Sequence, residues 1–500
     1  MRRKIIFVGL DGAEPELLQK WSNAGVLPHM KKLLRESAWM EPQTPAPFGD
    51  GVFWPAFFTA AGPAKHGRYF RSQIVPGTYS CKRFDEDKDF TYETLWRLAS
   101  DAGRKVAVID MPKAPLKRGL NGVQLVDWIV HDRCGRTRSH PAALAPEITE
   151  RFGKDPNDGN VGVEPGERRT PAATEALSQQ LLWRVDAKRR ACLHLLQEED
   201  FDLFMVAFQE AHDIGHQCWH LHDPGHPLHR EWGIDTMCTP VKDVYRALDQ
   251  AVGELAARAG DNHLLVVVAG LGMGPSYTGN YLLDGILKSF ERNGRDASYV
   301  RRQRGIFRLL PIGVRDRLRA VTFTAEGVRA EERRRRKFFA IPHNQNAGAI
   351  RINLVGREPD GRVKPGYEFD ELCEQLSAKL KSLTNADTGG PVVDEVVKIS
   401  ERFAGPHLDR LPDLLVVWNR SAPIHAIRGP DIEETPRKPL GPRTGDHTQR
   451  ALALVRGPGI EARRVEGAVS IMDLGATVAA LLEVSIRDSD GEPIAQLAGR

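Results

Sequence analysis

The segment Glu210-Ala211-His212-Asp213-Ile214-Gly215-His216 sets two imidazoles four residues apart beside two carboxylates, directly after the apolar run Asp202–Phe208. On a helix that spacing puts both rings on one face, and on a strand-exit loop it can also converge. Imidazole with carboxylate suits a borderline divalent metal such as zinc, manganese or iron. The same pattern occurs in capping segments and ordinary polar clusters; its place at the end of a strand is what favours chemistry here. The first apolar run, Lys4–Leu10, ends on Asp11-Gly12, where a carboxylate can point into a crevice while glycine lets the backbone turn. Asp446-His447 stands just before the last run, Ala451–Val455. His220, His222, His226 and His229 read as surface or lid positions, and Trp219 as packing.

These groups need a scaffold to hold them. Apolar, β-branched runs at Lys4–Leu10, Lys105–Asp110, Asp202–Phe208, Leu264–Ala269, Leu414–Trp418 and Ala451–Val455 alternate with helical patterns. Such alternation predicts an α/β fold on a parallel sheet, with ligands outside the carboxyl ends of its strands. The whole chain, 1–500, reads as one domain with two elaborations. Residues 113–170, rich in Pro, Gly and charge without a sustained period, read as a lid-like insertion. Residues 289–404 read as an irregular insertion or small subdomain, and 405–500 as the return to the core. The basic residues Arg301, Arg302, Arg304 and Arg308, and the run Arg333 to Lys337, are either a solvated helix face or anion contacts.

Composition narrows the classes further. With 41% hydrophobic and 27% charged residues, the 500-residue chain can bury a sizeable core, and disorder throughout is excluded. Lys plus Arg number 70 against 66 Asp plus Glu, and a net charge of +4 is too slight to indicate a nucleic-acid polymer or a membrane as partner. Any anion specificity must be local. The 6 cysteines form no CxxC pair, so neither a zinc ribbon nor a disulfide framework is indicated and a reducing compartment is expected. The longest apolar stretch, Leu264 to Gly274, is shorter than the ~20 residues of a spanning helix. The amino-terminal run is too short for the apolar part of a signal peptide. A cytoplasmic location is the expectation.

Further segments follow in a telling order: Trp54 to Gly67, ending Gly62-Pro63-Ala64-Lys65-His66-Gly67; His216-Gln217-Cys218-Trp219; Gly272-Met273-Gly274-Pro275; and Ile350-Arg351-Ile352-Asn353-Leu354. Gly356-Arg357-Glu358-Pro359, Pro412-Asp413-Leu414, Gly445-Asp446-His447 and Gly457-Pro458-Gly459-Ile460 complete the series. Together with Val8-Gly9-Leu10-Asp11-Gly12 they resemble, over nearly the whole chain, the type I phosphodiesterase/nucleotide pyrophosphatase proteins of the alkaline phosphatase superfamily. The resemblance implies a mostly parallel central sheet flanked by helices, with insertions capping the active-site face. It implies hydrolysis of phosphate diesters or monoesters, or of sulfate esters, on two metal sites with a Thr or Ser nucleophile. Asp11, His216 and His447 correspond to metal-binding positions. His212 stands where the family has an aspartate, with Glu210 and Asp213 as nearby acids.

Two departures matter. The nucleophile's position falls on Asp50, which is then a covalent nucleophile, a metal ligand, or a turn acid between Gly49 and Gly51; Thr44 reaches that position only with a gap. The Asp-His pair expected after the fourth strand is replaced by Ala269-Gly270-Leu271-Gly272-Met273. Asp11 and Asp50 alone would hold at most a loose Mg²⁺. The resemblance therefore implies a divalent metal, zinc first, at His212, His216, His447 and Glu210, a small anionic ester as substrate, and Arg351 and Arg357 as candidate anion contacts. The alternative is a catalytically degenerate paralogue whose cleft binds an anionic ligand or a partner protein. Whether the three imidazoles meet around one point separates the two.

Overall fold

The computed structural model describes residues 3–45, 47–131, 135–156, 170–229, 239–291, 325–344 and 346–498. They divide into two compact units: Met1–Arg68 with Asp85–Ser276 and Gly441–Arg500, and Tyr69–Phe84 with Tyr277–Leu440.

The first unit is built on Ile5–Asp11 (β1), Ala38–Met40 (β2), Val106–Ile109 (β3), Gly122–Val126 (β4), Arg138–His140 (β5), Leu203–Phe208 (β6), Leu264–Gly270 (β7), Met273–Pro275 (β8), Gly445–His447 (β9) and Ala451–Arg456 (β10). Eight of these make one sheet in the order β2-β10-β7-β1-β6-β3-β4-β5, and β8 pairs with β9 separately. The five strands from β7 to β4 are parallel, with Val8 opposite Val206 on one side and Val267 on the other. β10 and β5 run antiparallel to these five, and β2, antiparallel to β10, runs with them. Every residue of β1, β6 and β7 is buried, as parallel strands covered on both faces must be.

Alternation along β1 sends its side chains to two different cores. Ile6, Val8 and Leu10 join the helices Pro171–Glu198 and Pro240–Ala259, together with Glu210–His222, which follows β6 directly. Phe7 points the other way and stacks on Phe57 of the helix Asp50–Thr59, with ring centroids 4.6 Å apart. That helix is apolar all round and buried from Gly51 to Thr59, as a helix enclosed by a core requires. Pro55 inside it has no N–H to give to the carbonyl of Gly51. The buried guanidinium of Arg68 takes that carbonyl instead and is itself held by Glu86, which anchors the end of the helix bearing Asp50. Gly9 is fixed by the same packing, since a Cβ there would lie 2.8 Å from the Trp54 ring.

The second unit carries an antiparallel sheet in the order Phe338–Ile341, Ala347–Ile352, Leu414–Trp418, Val393–Lys398. Its core includes Ile286, Ile350, Leu376 and Trp418. The run Leu414–Trp418, expected in the parallel sheet, thus belongs to a different one, and the chain returns to the first unit at Gly441 rather than at 405. A short buried apolar strand reads alike in either kind of sheet. Within 113–170, read as a lid, β4, β5 and the helix Leu144–Phe152 extend the central sheet and its covering layer; 157–169 lie outside the described residues. Arg301, Arg302, Arg304 and Arg308 also lie outside them. Among the described residues no helix is long and apolar enough to cross a membrane.

Candidate metal centre

His212, His216 and His447 converge: one ring nitrogen from each lies within 4.8 Å of the others, and all three residues are buried. The helix Glu210–His222 supplies two of the rings from successive turns of one face. It starts immediately beyond β6, because Gly12, in the left-handed region with φ +73°, leaves room for it. A Cβ at position 12 would sit 2.4 Å from the Cα of His212. The third ring arrives on β9, whose His447 pairs with Met273. The helix grips the approach to β9, since Thr444 N–H donates to the His216 carbonyl at 2.9 Å and His216 Nδ1–H donates to the Gly445 carbonyl at 2.8 Å. Glu14, buried just past β1, accepts from Met273 N–H at 2.8 Å and from Thr448 Oγ1 at 3.2 Å, which pins β8 and the far end of β9.

The proton positions follow from the partners. Asp11 can only accept, so His212 Nδ1 carries a proton and donates it to Asp11 Oδ2 at 2.8 Å. Asp11 Oδ1 accepts from Trp54 Nε1 at 2.7 Å. His216 Nδ1 is likewise protonated by its bond to a carbonyl. In the neutral rings both Nε2 atoms are therefore bare lone pairs, and they face each other at 3.1 Å. Two lone pairs at that distance repel unless a proton or a cation lies between them. Burial first, then the neighbouring imidazoles with Lys113 for one ring and Arg443 for the other, hold His212 and His216 well below the ordinary imidazole range, which disfavours the proton. A ring whose Nδ1–H is tied to a carboxylate or carbonyl while Nε2 faces inward is the usual state of a metal-bound histidine. The donor set fits a divalent cation.

The family is decided by sequence. The profile described as type I phosphodiesterase / nucleotide pyrophosphatase matches residues 5–441. The chain belongs to this family. It is a hydrolase of the phosphodiesterase/pyrophosphatase kind. Among solved structures, phosphonoacetate hydrolase from Sinorhizobium meliloti 1021, in complex with phosphonoformate, is similar at 17% identity and TM-score 0.54, over 97% of this chain and 96% of that one. Human ectonucleotide pyrophosphatase / phosphodiesterase 5 is similar at 13% identity and TM-score 0.51, over 99% of both chains. These likenesses are of fold. No curated protein matches the chain.

In this phosphodiesterase-family chain the other sequence-selected residues are placed as follows. Asp11 touches the cluster through His212, as described. Asp50 opens its helix and pairs with Lys113, Nζ to Oδ2 3.2 Å. Burial would raise the Asp50 carboxyl, but the Lys113 ammonium beside it holds it well below the usual carboxylate range. Glu210 turns away from the imidazoles toward the fully buried Lys188, 3.7 Å distant, and burial raises its carboxyl above the usual value despite that cation. Arg351 and Arg357 lie in the second unit and are engaged there: Arg351 with Glu358 at 2.7 Å, Arg357 with Asp413 at 2.7 Å and with Glu358. The run Arg333 to Lys337 is likewise paired, with Glu326, Asp360, Glu331, Glu291, Asp284 and Glu368. His220 and His226, read as surface positions, are buried, because the helix carries His220 onto Thr444 with Nδ1 to Oγ1 3.0 Å.

Two residues of the site went unselected in the sequence. Lys113 stands just beyond β3, and His131 just beyond β4, with its ring centroid 4.1 Å from that of His212. His131 Nδ1 makes a short bond to Asp213, whose other oxygen accepts from Arg184 at 2.9 Å. Arg184 in turn holds Asp155 through two bonds of 2.9 and 2.7 Å. The rule that ligands gather at the carboxyl ends of parallel strands points to both residues once β3 and β4 are recognised as neighbours in the sheet.

The lowered imidazoles predict how the metal-free chain responds to acid. His212 and His216 protonate in the unfolded chain near the ordinary imidazole value but stay neutral when folded, so below it the unfolded chain binds more protons and stability falls. The unfolded ring is half protonated near pH 6.5 and almost fully so at about 5.5, so each ring costs about 1 kcal/mol over that unit and the pair about 2 kcal/mol. Asp50, held low, keeps its contribution throughout that window. Urea unfolding of chelator-treated chain at pH 7.5, 6.5 and 5.5 measures the slope; equal stabilities would contradict a neutral buried pair.

Proposed function

We propose that this chain is a metal-dependent hydrolase of small anionic phosphate esters, working with a single divalent ion held by His212, His216 and His447. The observation that carries this reading is the pair of bare Nε2 lone pairs at 3.1 Å, joined by the third ring within 4.8 Å. Three imidazoles with an open fourth position are a zinc-type donor set. Manganese and iron are second choices. When bound there, the ion supplies Lewis-acid polarisation of a phosphoryl oxygen. The chain's own residues do the rest. Asp11 fixes the ring and the tautomer of His212, while Gly445 does so for His216. His131, anchored by Asp213 and Arg184, walls the His212 side. Glu210 is assigned to the charge balance of Lys188 instead of to the ion.

The test is metal analysis followed by removal. Chain purified without chelator or metal-affinity resin is expected to hold one ion. Phosphate monoesters and diesters, a sulfate ester and a phosphonocarboxylate, the last suggested by the ligand class of the bacterial structure of similar fold, are then assayed before and after chelation. Loss of ester hydrolysis on chelation and its return with zinc support the reading. A chain that binds no ion even after reconstitution sinks it in favour of the non-catalytic anion-binding alternative, to which the replacement of the nucleophile by Asp50 would then belong.

A further inference from the structure

Lys113 is held at the centre at some conformational expense. Its backbone is left-handed, φ +61°, as is that of Asp110 at φ +49°, a region that non-glycine residues seldom occupy. The double turn at the end of β3 brings the ammonium to Asp50, and both side chains are 18% exposed, so neither is sealed in the core. Asp50 opens the helix whose Trp54 donates to Asp11 Oδ1 at 2.7 Å, and Asp11 in turn holds His212 at 2.8 Å. Two buried cations of this region are committed. Lys188 is fully buried and donates to the carbonyls of Ile129 and Ala207 at 2.8 and 2.9 Å, with Asp110 and Glu210 alongside. Arg184 is consumed by Asp155 and Asp213. An ammonium has three donors, and Lys113 makes one ion pair among the described residues.

We propose that Lys113 binds an anionic oxygen of the phosphate ester, and that Asp50 is the positioning residue that aims it. The inference rests on the hydrolase reading above and deepens it by naming the second cationic contact. A tetrahedral phosphoryl group has more anionic oxygens than one ion at the three imidazoles can take. A divalent ion there together with Lys113 outweighs the Asp11 and Asp50 carboxylates by one positive charge, a balance that draws an anion in. Asp50, pinned at the start of its helix, restrains a flexible four-carbon side chain that would otherwise lose rotamer freedom on binding.

The test is calorimetric titration of inorganic phosphate into zinc-loaded wild-type chain, Lys113→Met and Lys113→Arg, with zinc content and thermal melting measured on each. Equal zinc in all three is expected. Phosphate should bind Lys113→Met roughly ten- to a hundredfold more weakly, the loss of one charge-assisted hydrogen bond, with most of the affinity recovered in Lys113→Arg. If Lys113→Met does not fold, Lys113→Gln, which keeps a donor for Asp50 without the charge, is read by the same criterion. A zinc-replete neutral variant that binds phosphate within about twofold of wild type overturns this inference alone. A wild-type chain that holds no zinc overturns the hydrolase reading and this inference with it.

Discussion

His216→Ala is expected to leave a folded chain that no longer retains a metal ion and whose kcat/KM toward any ester it hydrolyses falls at least about a thousandfold. Two imidazoles remain, too few for a tightly held ion, and the several kcal/mol of Lewis-acid stabilisation go with it. Asp11→Ala separates a ligand from a residue that orients one. Its carboxylate fixes His212 through Nδ1 and accepts from Trp54. Removal should therefore weaken metal affinity by roughly 10- to 100-fold, the usual cost of losing a group that orients a ligand. A loss as complete as that of His216→Ala would make Asp11 a direct ligand. Full metal content and turnover in His216→Ala would remove the three-imidazole centre from the mechanism altogether. Elemental analysis beside ester kinetics reads both variants.

Arg184→Leu should be the most destabilising single change away from the imidazoles. Its guanidinium, 1% exposed, is shared between two carboxylates that are also buried. Deleting it strands both charges, and removing one partner of a buried charge network costs about 3–5 kcal/mol. Asp213 would keep His131, whose ring lies against His212, as its remaining side-chain partner. Urea unfolding measures the loss. A second substitution, Asp155→Leu, should return part of it, because one of the stranded carboxylates disappears. Additive losses in the double variant would show that the three groups are not energetically coupled.

How much of this was legible in the sequence differs from residue to residue. His212 and His216 stood out because a four-residue spacing on a helix directly after a buried strand has few readings. Asp11 and His447 drew notice by their places at strand ends, but only the resemblance joined them to the distant imidazoles, since nothing local marks a single His or Asp as part of a cluster. Glu210 shared the motif of His212, yet the turn of the helix sends it to Lys188, a residue 22 positions earlier that carries no pattern. Arg351 and Arg357 looked free because the turn after Ala347–Ile352 folds Glu358 back onto both, and Asp413 meets Arg357 through the antiparallel pairing of Ala347–Ile352 with Leu414–Trp418. That pairing cannot be read from apolar runs alone. Lys113 and His131 were hidden for another reason: Lys113, just past the run Lys105–Asp110, opens a stretch whose Pro, Gly and charge content resembles a loop, and the strand before His131 lies inside that stretch. The fold class was more accessible, since continuous apolar runs at β1, β6 and β7 announce a doubly covered parallel sheet.

The pairing of β8 with β9 also governs when, during synthesis, the centre can come into being. Ser276 N–H and the Thr444 carbonyl meet at 2.9 Å, so the chain leaves and re-enters the first unit through one narrow gap, with 277–440 emitted in between. His216 and its acceptor Gly445 are 229 positions apart. A nascent chain displaying only His212 and His216 has a two-donor grip, and the third imidazole emerges after the second unit has left the ribosome. On the proposed reading, ion capture is thereby postponed until Gly445–His447 has emerged, and a polypeptide truncated anywhere before Gly445 is born without the three-imidazole cluster.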